Sequence, residues 1–385
     1  MTRARVALRV FLLTLVLLAG VSFGLPQAWA QQTASVAAQA PSAAPAVVAT
    51  RHADAIAQAR GAALEILGRG VPGLAVAVSV NGEIVWAEGF GYADLENRVP
   101  VWPTTRFRIG SVSKPLTAAA LAQLVEQGKL DLDAPVQKYV PSFPDKGALI
   151  TPRLLAGHLA GIRHYQGDEF LLAKRYNTVT ESLAIFKDDP LLHPPGTKFA
   201  YSSYGWNLLS AAVEGASGQD FLSYMHQNVF DRLGLRDTTA DWNEKIILHR
   251  TRFYVRTKDG QLLNAPYVDN SYKWAGGGFL STVEDLVRFG SALLRPGFLK
   301  LQTVEMLWTS QKTTDGKETK YGIGWNVTRD TQGRRMVYHS GGSIGGTTML
   351  IIYPDAKVVI ALIANLSGAP VRGPDYDKIA EGFLK

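Results

Sequence analysis

The sequence predicts an α+β fold: an antiparallel sheet drawn from both chain ends, flanked by helices, with a mostly helical insertion between them. Three observations lead there. A strand–turn–strand pattern stands around Asn81 and Gly82. The stretch from about 126 to 270 reads as short helices and loops. Strand patterning then returns after residue 320. A chain of 385 residues, 46% of them hydrophobic, can build one large domain or two intimately joined ones.

The N-terminus reads as a secretory signal. A basic segment with Arg3, Arg5 and Arg9 precedes an apolar run from Val10 to Leu25, and Ala28-Trp29-Ala30 supplies an A-x-A cleavage site. The expectation is cleavage after residue 30 and export to the periplasm or the medium. An uncleaved segment would be the chain's only route to a membrane, and about fifteen apolar residues are short for a span. Without the three arginines, 37 basic residues face 33 acidic ones, a net charge of +4. These do not cluster with aromatics, so no nucleic-acid surface is expected. The absence of cysteine excludes disulfides, thiolate catalysis and Cys-ligated zinc.

Residues 31–50 are uncharged and rich in Ala, Pro, Ser and Gln, and are expected to form a disordered linker. The domain proper then covers 51–385, with its helical part at about 126–270. A helix is expected over 53–68, where Ile56, Ala59, Ala63 and Leu67 share a face. Asn81-Gly82 between two apolar runs is a strong hairpin signal. "TPRLLAGHLAGI" has a Thr cap, Pro152 in the first turn and Gly161 as its stop. "AGGGFLSTVEDLVRFGSALL" suggests a capping box of Ser281 with Glu284. Strands are expected at about 321–328, 334–339, 347–353 and 358–364, the last two joined by a Pro354-Asp355 turn, before a final helix near Asp375.

The chemistry begins at "FRIGSVSKPLTAAALAQLVEQGKLDLD", residues 107–133. A helix from about Val112 to Gln127 ends at Gly128, and Pro115 requires it to begin close to Ser111. Residues three apart share a helix face, so Ser111 and Lys114 can touch, whereas Ser113 points away from Lys114. A lysine desolvated near the positive end of a helix loses affinity for its proton and can act as a base. On its own S-x-x-K equally describes a capping serine followed by a solvated lysine, since chance supplies it on the order of once in a chain this long.

Two further stretches change the reading. "PPGTKFAYSSYGWNLLSAAVEGASG" places Tyr201 just before a helix, and "RRMVYHSGGSIGGTTMLIIYP" places His339-Ser340-Gly341 at the end of a strand. In this order and spacing, the three stretches resemble the motifs of the serine β-lactamase and penicillin-binding-protein superfamily. The branch with a Tyr-x-Asn second motif, that of class C β-lactamases, D-peptidases and esterases, is the nearer one. "RLLAGHLAGIRHY", "FKDDPLLHPPGTKFAYSS" and "YVDNSYKWAGGGFLSTVEDL" are similar to the mitochondrial serine β-lactamase-like proteins of animals, described as filament-forming serine peptidases.

The resemblance covers about 53–385 and implies a β-lactamase/transpeptidase-like fold and acyl transfer. Ser111 would be the nucleophile. Lys114 and Tyr201 would share the proton work. His339 would orient Tyr201 or bind a substrate carboxylate. The backbone N–H groups of Ser111 and Gly342 would hold the oxyanion, with Ser203, Ser340 and Gly341 around the substrate. Peptide, ester or amide substrates are implied, no cofactor or metal, and a homo-oligomer or filament is a possible assembly. Peptidase or esterase action stands first, β-lactam hydrolysis second, and a non-catalytic scaffold is the rival from another class. Two departures weaken the case for penicillins: Ser203 stands where the branch often has Asn, and His-Ser-Gly replaces Lys-Thr-Gly.

Three decoys are set aside. Gly341-Gly342-Ser343-Ile344-Gly345 matches G-x-S-x-G, but a β-branched apolar run follows where a nucleophile elbow needs a helix. His158 and His164 lie six apart outside any H-E-x-x-H pattern, which suits a helix end near the cleft better than a metal. Gly276-Gly277-Gly278 lacks the strand-then-helix setting of a phosphate loop and suits close backbone approach. Trp86, Trp206, Trp242 and Trp274 are expected to be core aromatics more than pocket walls.

Overall fold

The computed structural model describes residues 47, 48 and 50–385. The expected signal segment and nearly all of the expected linker lie outside the described residues. At its end the linker expectation is corrected. Val47–Val48 (β1) pairs with the hairpin strand at Ala87 and Trp86, and Thr50–His52 forms a short 3-10 turn.

The main sheet has eight antiparallel strands. The N-terminal hairpin is Gly73–Val80 (β2) and Glu83–Asp94 (β3), with Val99–Pro100 (β4) added to β3. Asn81 and Gly82 both have positive φ, 55° and 87°, as a tight two-residue hairpin turn requires. The C-terminal strands are Asn326–Arg329 (β5), Arg335–Ser343 (β6), Gly346–Tyr353 (β7) and Val358–Ala364 (β8). The path runs β1-β3-β2-β8-β7-β6-β5. The ends of the chain meet at the sheet's centre, where Val80 pairs with Val358 and Leu74 with Ala364. β8 is buried along its whole length.

Two helical layers sandwich the sheet. On one face lie Ala53–Gly68 (α1) and Gly373–Ala380 (α5), packed through Ile56, Ile66 and Ile379 against Leu74, Val76 and Ile360. On the other face lie Val283–Leu293 (α4) and the helical region. There Ser113–Glu126 (α2) and Ser203–Ser217 (α3) form the core. Every residue of α2 from Ser113 to Leu124 is buried, including Ala118, Ala119, Ala120 and Ala122, so it is a central helix and not an amphipathic surface one. Small side chains let neighbours approach closely.

Several boundaries differ from expectation. The strand expected at about 321–328 is confined to Asn326–Arg329. The helix after Thr151 stops at Ala156 instead of running to Gly161, because Gly157 caps it and His158 turns to φ 60°. The cap of α4 is Thr282, which accepts from the Asp285 N–H at 3.1 Å, in place of Ser281, whose hydroxyl meets Thr238 inside a small sheet. β6 continues to Ser343, so His339-Ser340-Gly341 lies within the strand. The G-x-S-x-G stretch is the end of β6 followed by the Ile344-Gly345 hairpin turn into β7, with Gly345 at φ 75°.

Candidate active site

The site forms where β6 meets the start of α2. Gly110–Val112 is a 3-10 turn that leads straight into α2 and carries Ser111. Gly110 has φ 49°, and a Cβ there would lie 2.8 Å from the Gly342 carbonyl carbon. A Cβ on Gly341 would strike the Ile109 carbonyl. Bare backbone on both sides therefore sets Ser111 against the edge of β6.

Ser113 does turn away, its Oγ accepting from the Phe279 N–H at 3.3 Å. Lys114 is 0% exposed. Its Nζ lies 3.1 Å from Ser111 Oγ, 3.1 Å from Ser203 Oγ and 2.7 Å from the Gly276 carbonyl oxygen. None of these partners is a carboxylate. Burial, reinforced by the positive charge of Lys273, holds the amine far below the ordinary lysine range. Gly276 reaches Lys114 because Ser271–Lys273 and Trp274–Gly277 form a compact double turn wedged between α2 and α3.

Tyr201 lies two residues ahead of α3. Its ring centre is 4.9 Å from Lys114 Nζ, and its phenol hydrogen-bonds with Ser111. Burial raises this phenol above the usual tyrosine range, and the Ser111 bond only partly offsets that. The start of α3 is held in an unusual way. The Ser202 N–H donates to His158 Nδ1 at 3.1 Å, and the Ser203 N–H donates to His164 Nδ1 at 3.2 Å. Both rings therefore accept at Nδ1 and carry their proton on Nε2. Burial, then the nearby Lys114 charge, pushes His158 well below the normal imidazole range and His164 down to about 4. His158 also packs against Tyr201, with ring centres 4.1 Å apart and planes tilted by 35°. Among the described residues, no group of three or more His, Cys, Asp or Glu is arranged to hold a metal ion.

His339 enters from β6 and is 2% exposed. Its Nδ1 meets the Ser340 carbonyl at 2.6 Å, so that nitrogen carries the proton. Its Nε2 accepts from the Tyr321 hydroxyl at 2.9 Å. Burial and the Lys114 charge lower its pKa to about 3. With both nitrogens occupied, the ring meets Tyr201 only as a neighbour, centres 6.4 Å apart. In this arrangement the bonds of His339 go to Ser340 and Tyr321, and not to Tyr201. It reaches the cluster through Tyr321.

A cleft of about 360 Å³ opens onto this cluster. Ser111, Ser203 and Gly342 lie on its wall, joined by His164, Tyr165, Phe170, Lys273 and Ile344. Lys114, Tyr201 and His339 stand behind the wall, and Ser340 and Gly341 are off it. Ser203 serves as a partner of Lys114 as well as lining the cleft. Sequence reasoning passed over Tyr321 and Lys273. Nothing in the sequence marks Tyr321. Lys273 had a signal, a lone lysine inside the uncharged aromatic and glycine-rich run "NSYKWAGGG". Trp86 and Trp206 are fully buried core residues, and none of the four tryptophans singled out lines the cleft.

An antiparallel sheet joined to a helical region, with a buried lysine beside a serine at their junction, defines a serine hydrolase of α+β architecture. The comparisons with known proteins agree. The Beta-lactamase family model matches residues 52–382, and the chain belongs to this family. It is 38% identical to "Serine beta-lactamase-like protein LACTB, mitochondrial" of Homo sapiens, over 82% of this chain and 77% of that protein. The solved octameric penicillin-binding protein homologue from Pyrococcus abyssi superposes with TM-score 0.72 at 27% identity, covering 85% of this chain and 76% of that one. The D-amino acid amidase from Ochrobactrum anthropi shares the fold, with TM-score 0.75 at 24% identity over 86% of this chain and 98% of that one.

Proposed function

We propose that the chain hydrolyses peptides or esters by acyl transfer, with Ser111 as nucleophile. The observation that carries this is the count of hydrogen-bond sites at Lys114. A neutral amine has two N–H groups, which suit the Gly276 carbonyl and Ser203 Oγ. Its lone pair is then left facing Ser111 Oγ at 3.1 Å. Among the described residues no carboxylate contacts Nζ to hold the proton on, and burial favours the neutral form.

The division of roles follows from opposite shifts. Lys114 is pushed down and can accept the Ser111 proton. Tyr201 is pushed up and stays a phenol, which suits it to pass a proton to the leaving group. The oxyanion would lie between the backbone N–H groups of Ser111 and Gly342, both on the cleft wall. Water then releases the acyl group. A neutral His339 offers no charge to the carboxylate of a penicillin, which places β-lactam hydrolysis second.

Export belongs to the same proposal and rests on the N-terminal sequence. Intact mass of protein recovered from the medium or periplasm would show whether cleavage follows Ala30. A homo-oligomer is also proposed, since one matched structure is described as octameric. Light scattering on the purified protein tests it.

The deciding experiment is intact mass after treatment with a fluorophosphonate, with the adduct mapped. A single adduct on Ser111, absent in Lys114→Ala, is expected. No adduct on folded protein would overturn the reading in favour of a scaffold.

A further inference from the structure

The cleft holds a second buried lysine, whose part in the proposed acyl transfer is limited to the charge it lends to the lowering of Lys114. Lys273 is 2% exposed, and among the described residues its Nζ has neither a hydrogen bond nor an ion pair. Three rings surround it instead: Phe170 at 4.3 Å, Tyr272 at 5.0 Å and Tyr165 at 5.8 Å from ring centre to Nζ. Aromatic faces attract a cation, but they cannot replace the hydrogen bonds it loses on burial. Burial, then the Arg108 charge, lowers this amine to about 7, and an anion bound beside it would restore the ammonium.

The described residues supply no such anion. Among them no carboxylate lines the cleft. The nearby acid, Asp241, is already held by Arg108 at 2.6 Å and by the Asn270 amide at 2.7 Å, with Arg250 at 3.4 Å. The other ionisable groups around the cleft carry no charge to offer an anion. His164, lowered to about 4, is neutral at pH 7 and offers at most its Nε2 N–H, and His339 has both nitrogens occupied. Lys273 shares the cleft wall with Ser111, together with Ser203, Tyr165 and Phe170. Phe170, the nearest ring, packs on the amine from a short turn, Gly167–Leu171.

We propose that Lys273 is a specificity-determining residue whose ammonium binds a carboxylate carried by the substrate, on the side of the cleft walled by Tyr165, Phe170 and Ser203. This deepens the acyl-transfer reading and rests on it for the identity of the cleft. It adds that the preferred substrate is acidic and that the charge lies within a few bonds of the carbonyl that Ser111 attacks.

The test compares 4-nitrophenyl hydrogen succinate with 4-nitrophenyl butyrate, which differ chiefly by a terminal carboxylate. The wild type should favour the succinate ester. Lys273→Met should lower kcat/KM for that ester by about thirty-fold or more, the usual effect of removing one partner of a buried charge pair. Any loss on the butyrate ester, which would act through Lys114 and so fall on both esters alike, should be much smaller, and Lys273→Arg should recover part of the preference. Equal losses on both esters in folded protein would overturn the proposal. A second measurement does not need turnover or a Lys273 variant: calorimetric titration of Ser111→Ala protein with succinamate and with butyramide. Tighter binding of succinamate supports the assignment, and equal or undetectable binding of the two overturns it. If neither ester is hydrolysed, the acyl-transfer reading fails while the titration still decides the role of Lys273.

Discussion

Lys114 shows at the scale of one residue how function and stability oppose each other. Burying an amine and stripping its proton costs about 1.4 kcal/mol for each pKa unit of depression. The three hydrogen bonds at Nζ recover part of that cost. Because its folded pKa lies below the unfolded one, the penalty of deprotonating Lys114 is present throughout the neutral range and vanishes only above about pH 10. Removing the amine should therefore relieve the fold. Lys114→Met is expected to abolish fluorophosphonate labelling and to raise Tm by about 1–3 °C. Thermal melts at pH 7 check this, and a fall in Tm would mean that the lost partner of the Gly276 carbonyl outweighs the desolvation.

At the scale of an element, α3 depends on two histidines for its first turn. Helix starts usually take Ser, Thr, Asp or Asn as acceptors for their free N–H groups. Here Ser202 caps the Gly205 N–H at 3.0 Å in that ordinary way, while His158 and His164 accept the two N–H groups before it. An imidazole accepts only when neutral, so this support is acid-sensitive. The folded pKa of His164 is depressed to about 4. Its contribution is therefore complete above the unfolded value near 6.5 and is lost as pH falls through about 4. His164→Asn keeps an acceptor of similar reach that does not titrate. Urea unfolding at pH 7 and pH 4.5 should show the variant losing less stability than the wild type. The difference should be about 1 kcal/mol once solvent screening at the cleft wall is discounted. An identical loss in both proteins would remove His164 from this role.

At the scale of the whole molecule, the two chain ends are tied behind the sheet. Arg69, just past α1, donates to both oxygens of Asp375 at 2.6 and 2.8 Å and to the Pro370 carbonyl at 2.9 Å. Asp375 also accepts from the Arg372 N–H at 2.7 Å and so caps α5. Its carboxylate is 4% exposed, so removing the guanidinium strands a buried charge. Arg69→Ala should lower unfolding free energy by about 3 kcal/mol in a chemical melt at pH 7. It should leave labelling at Ser111 unchanged, because the site lies on the opposite face of the sheet. A loss of labelling in protein that is still folded would show that the chain ends communicate with the cleft.

Much of this was legible in the residues themselves. Local chemistry fixes the hairpin at Asn81-Gly82, the extent of α1 and the choice of Ser111 over Ser113, because each follows from backbone preference or from spacing within a few residues. Helix ends were harder. Gly157 competed with Gly161 and Thr282 with Ser281, and neighbouring residues of similar capping ability are separated only by what packs around them. The order Ser111–Lys114, Tyr201, His339 pointed to the family, yet the sequence could not say which nitrogen of His339 is free. Tyr321, 18 residues upstream, decides that through a bond that exists only once β6 is in the sheet. The same holds for His158 and His164, whose backbone partners lie about forty residues further along the chain. What the sequence determined alone was the class of fold and the serine–lysine pair, which depend on periodicity and short spacing. Only the tertiary structure decided which groups are desolvated, which nitrogens are occupied and that Lys273 stands without an anion, because burial and partnership arise from segments far apart in the chain.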